Sequence, residues 1–259
     1  IQGIREELGK LQGNLVILPI RNIEPQVKIL DQLSHANLDA VIYLGMFDNL
    51  SLRRMIEAGP PSALVDYGLR SLPVDTILVD NRGGGYQAIE HLITLGHRKL
   101  AVILGQTEQV ATKERLEGVF EAMDQSGISR ESLQIVPGDF QREGGYRAMA
   151  DILSSGNVPT GIFCFNDEMA AGALQALHSL SSFTVPRDVS IVGFDDTAWA
   201  TATQPPLTTI QVDKSLMGRL AVQRVVARIK NQEPPTTTIL PTKLVSGNPT
   251  RAPTLAAGG

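Results

Sequence analysis

The sequence predicts an α/β protein built as two doubly wound lobes of parallel sheet. Three observations carry this. Apolar, β-rich runs alternate with amphipathic helical stretches along the chain. The runs are continuously apolar rather than alternating, as strands covered on both faces are. Polar or aromatic residues follow directly after several runs, where an open α/β sheet presents ligand groups.

The chain opens with "IQGIREELGKLQGN", an amphipathic helix with no capping residue before Ile1. Its start implies further chain upstream. Strands are expected at 15–20, 40–45, 62–67, 76–80, 99–105, 133–140, 161–165, 189–194, 208–212 and 237–245. Helices are expected between them, at 25–34, 50–58, 84–95, 112–126, 143–154, 167–181 and 214–230. In "GGYQAIEHLITLGHR", Ile89, Leu92, Ile93 and Leu95 make one apolar face and Gly96 ends it. So many strands exceed one ordinary sheet, hence two lobes. The C-terminal "TLAAGG" reads as a frayed end.

The 259 residues suffice for two lobes with real cores, and 42% hydrophobic and 19% charged residues are ordinary globular values. A net charge of −4 gives no overall basic surplus for gripping nucleic acid. The single cysteine, Cys164, excludes an internal disulfide and suits a buried strand position. No apolar run approaches a membrane span, and no secretory signal opens the sequence.

Sequence signals for chemistry fail in turn. Gly83, Gly85 and Ala88 fit a dinucleotide-binding spacing, and Glu108 lies about 20 residues on, where a ribose-binding acid is expected. However, Asp80, Asn81 and Arg82 separate the strand from the glycines, and Asp80 would repel a pyrophosphate. Small residues for close helix packing explain the pattern better, so no cofactor is expected. There is no P-loop, no G-x-S-x-G and no H-E-x-x-H. His91 and His97 stand six apart across a helix end, which does not make a metal site, and none is expected.

Two adjacent carboxylates, Asp195 and Asp196, end the run "IVGFDD". Neighbours on a strand point to opposite sides, so they do not address one substrate together. Asp195 suits a ligand clamp, because a carboxylate accepts two hydroxyls at once. Asp196, followed by Thr197, suits a helix or turn cap. Asn166 suits either a ligand contact or the cap of the following helix. Arg115, in the first turns of a helix, needs a partner there, or pairs on the surface with Glu114 or Glu117. Phe140 lies between polar flanks, which favours a stacking surface over a core aromatic.

The stretches 79–105, "RLEGVFEAM" (115–123), "GDFQREGGYRAM" (138–149), "GIFCFNDEMAAGALQAL" (161–177), "VPRDVSIVGFDD" (185–196) and "PPLTTIQVD" (205–213) occur in a specific order and spacing. With them the chain resembles the effector-binding core of the lactose/galactose repressor family of bacterial transcription regulators. The resemblance covers nearly the whole chain. It implies the fold of periplasmic sugar receptors of type I, with a ligand cleft between lobes and crossovers near 79–80, 210–213 and 232–238. The implied lobes are 1–79 with 211–236 and 80–210 with 237–250, followed by a disordered tail at 251–259. By resemblance, Arg115, Asn166 and Asp195 are effector-contacting residues, Phe140 is the stacking aromatic, and Asp66 matches an acid some members turn toward a sugar. Trp199 is near the site by loop position, with packing its expected role. Family members carry a DNA-binding helix-turn-helix and hinge helix ahead of the core; neither precedes these residues here, nor does the first strand of the first lobe. "LVSGN" also departs from the Arg found near the end of many members.

These readings imply a cytoplasmic sensor that is not an enzyme. A small, sugar-like effector changes the lobe geometry, and a homodimer reads operator DNA through an N-terminal domain. The alternative is a solute receptor of a transport system, for which "FNDEMAAGALQAL" and "IVGFD" suit equally; "GHRKLAVI" and "PPLTTI" favour the repressor.

Overall fold

A computed structural model describes residues 1–19, 37–45, 47–68, 72–247 and 250–253. The chain divides into two compact units, residues 1–79 with 213–240 and residues 80–212 with 241–259.

In the first unit, helix α1 (Gln2–Lys10) is followed by β1 (Val41–Leu44), α2 (Asn49–Ala58), β2 (Ser62–Val65) and β3 (Asp75–Val79). The chain returns later with α8 (Lys214–Asn231) and β9 (Thr237–Leu240). The described sheet is parallel, in the order β1-β2-β3-β9. Asp48 caps α2, its carboxylate accepting from the Ser51 amide at 2.9 Å. Leu52 and Met55 on α2 are fully buried with Tyr43, Leu64 and Val74. Helix α8 packs on β2 and β3 and against α1. Fully buried Asp75 holds this return together: it accepts from Arg224 Nε at 2.8 Å and from the Thr236 amide at 2.9 Å.

The second unit contains β4 (Leu100–Ile103), β5 (Gln134–Val136), β6 (Gly161–Cys164), β7 (Ser190–Asp195), β8 (Thr208–Gln211) and β10 (Lys243–Val245). Its helices are α3 (Asn81–Thr94), α4 (Val110–Gln125), α5 (Arg142–Ser154), α6 (Asp167–Leu180) and the short α7 (Ala198–Ala202). The sheet order is β10-β8-β7-β6-β4-β5, with only the β10–β8 pair antiparallel. Every residue of β4 and β6 is buried, which explains their unbroken apolar character. Helices α3 and α4 pack as one pair and α5 and α6 as another. Gly84 and Gly85 are buried in α3, so the glycine cluster serves close packing. Asp80 caps that helix by accepting from the Gly83 amide at 2.8 Å, which starts α3 at Asn81 rather than 84.

Several expectations change. Residues 15–19 form no strand and expose Leu15 to Leu18, and they pair with no described strand; the helix expected at 25–34 lies outside the described residues. The run 133–140 is strand only to Val136, because Pro137 has no amide to donate. The run 237–245 is two strands split at Pro241, and β9 lies beside β3 in the first unit, although the sequence assigned 237–250 to the second lobe. Helix α7 had no counterpart in the sequence reading. At the C-terminus, Arg251, expected in a tail, is tied down: its carbonyl accepts from His97 Nε2 at 2.8 Å and its amide donates to Ser190 Oγ at 3.1 Å.

Candidate functional site

The strand order of the second unit makes β4 and β6 neighbours although β5 comes between them in sequence. The loops therefore diverge at the carboxyl ends of β4 and β6, which is where open α/β sheets bind ligands. Arg115, Phe140 and Asn166 lie in the segments after β4, β5 and β6, and Asp195 ends β7.

Arg115 is 5% exposed and lies on the buried face of α4 with Thr112, Gly118 and Val119. Its Nε donates to Asn81 Oδ1 at 2.9 Å, and Nη1 donates to the carbonyl of Phe165. The guanidinium stacks on the Phe194 ring at 3.6 Å, with Phe140 5.9 Å away. Nη2 stands 3.9 Å from Asp195 Oδ1. Glu117 is exposed, and Glu114 accepts from Asn81 Nδ2 at 3.1 Å, so Glu114 joins the guanidinium's own partner.

Asp195 ends β7 with φ 103°, and its side chain is 28% exposed beside the buried Arg115. Asp196 follows with φ 49°. Two successive non-glycine residues at positive φ are a strained turn that the surroundings must hold. Asp196 is not a cap: the residue before α7 is Thr197, and Asp196 Oδ2 accepts from Gln211 Nε2 at 2.6 Å. The left-handed turn aims its side chain at β8 instead of along the helix axis.

Asn166 satisfies the capping alternative, with Oδ1 accepting from the Met169 amide at 2.9 Å. Its Nδ2 donates to the Phe140 carbonyl at 2.8 Å, so the cap also fixes the aromatic loop. Phe140 has φ 67°, and its half-buried ring lies over Gly105. Trp199, in the first turn of α7, is 38% exposed with the Arg142 guanidinium 5.8 Å from its ring, which is a surface position rather than a packed one. Asp66 follows β2 in the first unit, exposed, with φ 60°, and its amide donates to the Ile77 carbonyl at 2.9 Å.

Sequence reasoning placed Asn81 and Asp167 after strands but assigned neither a contact. Asn81, a polar residue at a strand end as well as a spacer before the glycines, holds Arg115. Gln106 and Gln109, joined at 2.8 Å, lie in the loop after β4. Asp167 is fully buried at the start of α6; burial raises its carboxyl to about 6, against the hydrogen bonds from Thr197 and Thr209. The polar residue directly after Asn166 was the available signal. Cys164 is buried in β6, and burial pushes its thiol well up. Among the described residues no His, Cys, Asp and Glu cluster is placed to hold a metal, and no helix is long and apolar enough to cross a membrane.

This arrangement offers donors, a half-exposed acceptor and an aromatic face, without a nucleophile and base in contact. Residues 89–250 match the periplasmic binding protein-like domain family. The chain is 36% identical over 229 residues to the HTH-type transcriptional repressor PurR of Actinobacillus pleuropneumoniae, covering 87% of this chain and 68% of that one. It is 31% identical over 230 residues to the ribose operon repressor of Haemophilus influenzae, covering 88% and 69%. The chain thus spans about two thirds of these relatives. A transcriptional regulator CelR–cellobiose complex superposes with a TM-score of 0.86 at 30% identity, over 96% of this chain and 77% of that one. The chain belongs to the lactose/galactose repressor family of bacterial transcription regulators, as an effector-sensing domain of periplasmic-binding-protein-like fold and not as a transport receptor or an enzyme.

Proposed function

We propose that the chain binds a small sugar-like effector at the carboxyl end of the second unit's sheet, through Arg115, Asn166, Asp195 and Phe140. The observation that carries this reading is the Arg115–Asp195 pair, 3.9 Å apart on the face shared with Phe140. A guanidinium donates to hydroxyl oxygens and a carboxylate accepts from hydroxyl hydrogens, while an aromatic ring covers the apolar face of a sugar. The cellobiose complex and the ribose operon repressor are relatives whose names specify saccharides. Asp66 is a further effector contact in this proposal, on sequence grounds. The assembled regulator is a cytoplasmic homodimer that contacts operator DNA through a separate domain, and the effector acts through its unequal affinity for two conformations.

Isothermal calorimetry against D-ribose, D-glucose and cellobiose tests the reading. One of the three should bind, and Asp195→Ala and Arg115→Ala should each weaken it at least tenfold with folding intact. Binding by none of them, or unchanged affinity in both variants, would overturn the assignment.

A further inference from the structure

Asp167 takes no part in the effector contacts proposed above, yet it is a fully buried carboxylate beside them. Its Oδ2 accepts from the Thr197 amide at 2.6 Å and from Thr197 Oγ1 at 3.1 Å. Its Oδ1 accepts from Thr209 Oγ1 at 2.5 Å. Thr209 Oγ1 in turn accepts from the Asp196 amide at 3.4 Å. The start of α6, the start of α7 and strand β8 are therefore joined at one side chain. The close approach depends on Gly193 in β7, where any Cβ would collide with Asp167 Oδ1.

What this clasp encloses is the turn 195–197, with its two residues at positive φ. Such a turn persists only where surrounding contacts over-determine it. We infer that Asp167 is a positioning residue: by pinning Thr197 and, through Thr209, Asp196, it sets the aim of the Asp195 carboxylate toward the effector. The inference rests on the effector reading for its consequence, but the clasp itself does not.

The clasp is also protonatable. Burial raises the Asp167 carboxyl to about 6, and the Asp195 charge adds to the rise. The other charged or titratable groups near it are Glu168 on its own helix, which accepts from the Arg142 amide at 3.4 Å, the buried Cys164 thiol of β6, whose titration feels the Asp167 charge, and Asp196 of the turn, whose carboxylate accepts from Gln211 at 2.6 Å. Protonation turns charge-assisted hydrogen bonds into neutral ones of roughly half the strength and loosens the turn.

Trp199 is the only tryptophan of the chain and stands two residues after Thr197, so its emission reports the clasp. Three variants test it: Asp167→Asn, Thr209→Val and Thr209→Ser. Trp199 emission is followed from pH 8 to 4.5, amide exchange of residues 195–203 by mass spectrometry, and affinity for D-ribose, D-glucose and cellobiose at pH 7.5 and 5. The wild type should show an emission midpoint near 6, and a bound sugar should be held at least threefold more weakly at pH 5. Asp167→Asn should abolish the midpoint, speed exchange at 195–197, and bind at the weaker level at both pH values. Thr209→Val should move the midpoint upward, and Thr209→Ser should leave it in place. A midpoint retained in Asp167→Asn overturns the inference, as does one lost without any change in sugar affinity. If the wild type binds none of the three sugars, the effector reading falls, while midpoint and exchange still decide the clasp.

Discussion

The guanidinium of Arg115 lies 3.6 Å over the ring of Phe194, the residue immediately before Asp195. One strand thus supplies both the ring that supports the cation and the carboxylate that faces it. The arginine plane is fixed from a third direction by Asn81 and the Phe165 carbonyl. A buried guanidinium held this way is set in place before any ligand arrives, so little conformational entropy is lost on binding.

Arg115→Lys should therefore behave almost as badly as removal. Lysine keeps the charge but loses the planar fork and the stacking. We expect effector affinity to fall at least tenfold, about 1.4 kcal/mol, by calorimetry. Retention of wild-type affinity would mean that charge alone suffices at this position.

Asn81→Ala removes the acceptor of a buried guanidinium hydrogen bond. The expected loss of stability is about 1–3 kcal/mol, read from urea denaturation. Effector affinity should fall as well, because the arginine plane is freed on that side. Asn81→Asp keeps that acceptor but loses the donor to Glu114 and sets two carboxylates together, so it should recover only part of either.

The architecture of the second unit was legible in the sequence because the central buried strands β4 and β6 are uninterrupted apolar runs, and Asn166 and Asp195 stand at or just after strand ends. The site was legible only where the residue type has few structural uses at that spot, as with Arg115 near a helix start. Asn166 could not be resolved from the sequence because its amide does two things at once, capping α6 and holding Phe140. Asp196 was misread since a cap depends on backbone direction, and two positive φ angles turn it toward Gln211. Partnerships across long sequence separations, such as Asp167 with Thr209, leave no local pattern. The same holds for β9 and β10, whose separation at Pro241 sends one apolar stretch into two sheets.

Asp75→Ala should be the most damaging substitution in the first unit. The carboxylate is fully buried and holds Arg224 at 2.8 Å and the Thr236 amide at 2.9 Å, with Arg228 at 3.8 Å. Removing one partner of a buried pair costs about 3–5 kcal/mol, and the partial exposure of Arg224 places this site at the lower end. Thermal unfolding should show the loss, with Asp75→Asn milder because it retains one acceptor. A change below 1 kcal/mol, by contrast, would show that the return of α8 and β9 does not depend on this carboxylate.

Acidification should expose titrations of opposite sign at opposite ends of the second sheet. His97 precedes β4 and meets Ser190, the first residue of β7, so it lies at the amino ends of the strands. Burial lowers its pKa below the ordinary 6.5. As pH falls through 6.5 the unfolded chain takes the proton first, and stability declines. Asp167, at the carboxyl ends, is raised to about 6 from 3.8, so the folded protein takes that proton first and stability rises between about pH 6 and 4. The two contributions therefore oppose each other in the wild type between pH 7.5 and 5. Burial lowers His91 as well, so His97→Gln removes part of the declining contribution, and urea unfolding should show that variant losing less stability than the wild type, or gaining it, on acidification. Asp167→Asn removes the rising one, and it should lose stability over the same range. Parallel pH profiles for the two variants would show that at least one of these groups does not titrate as its burial requires.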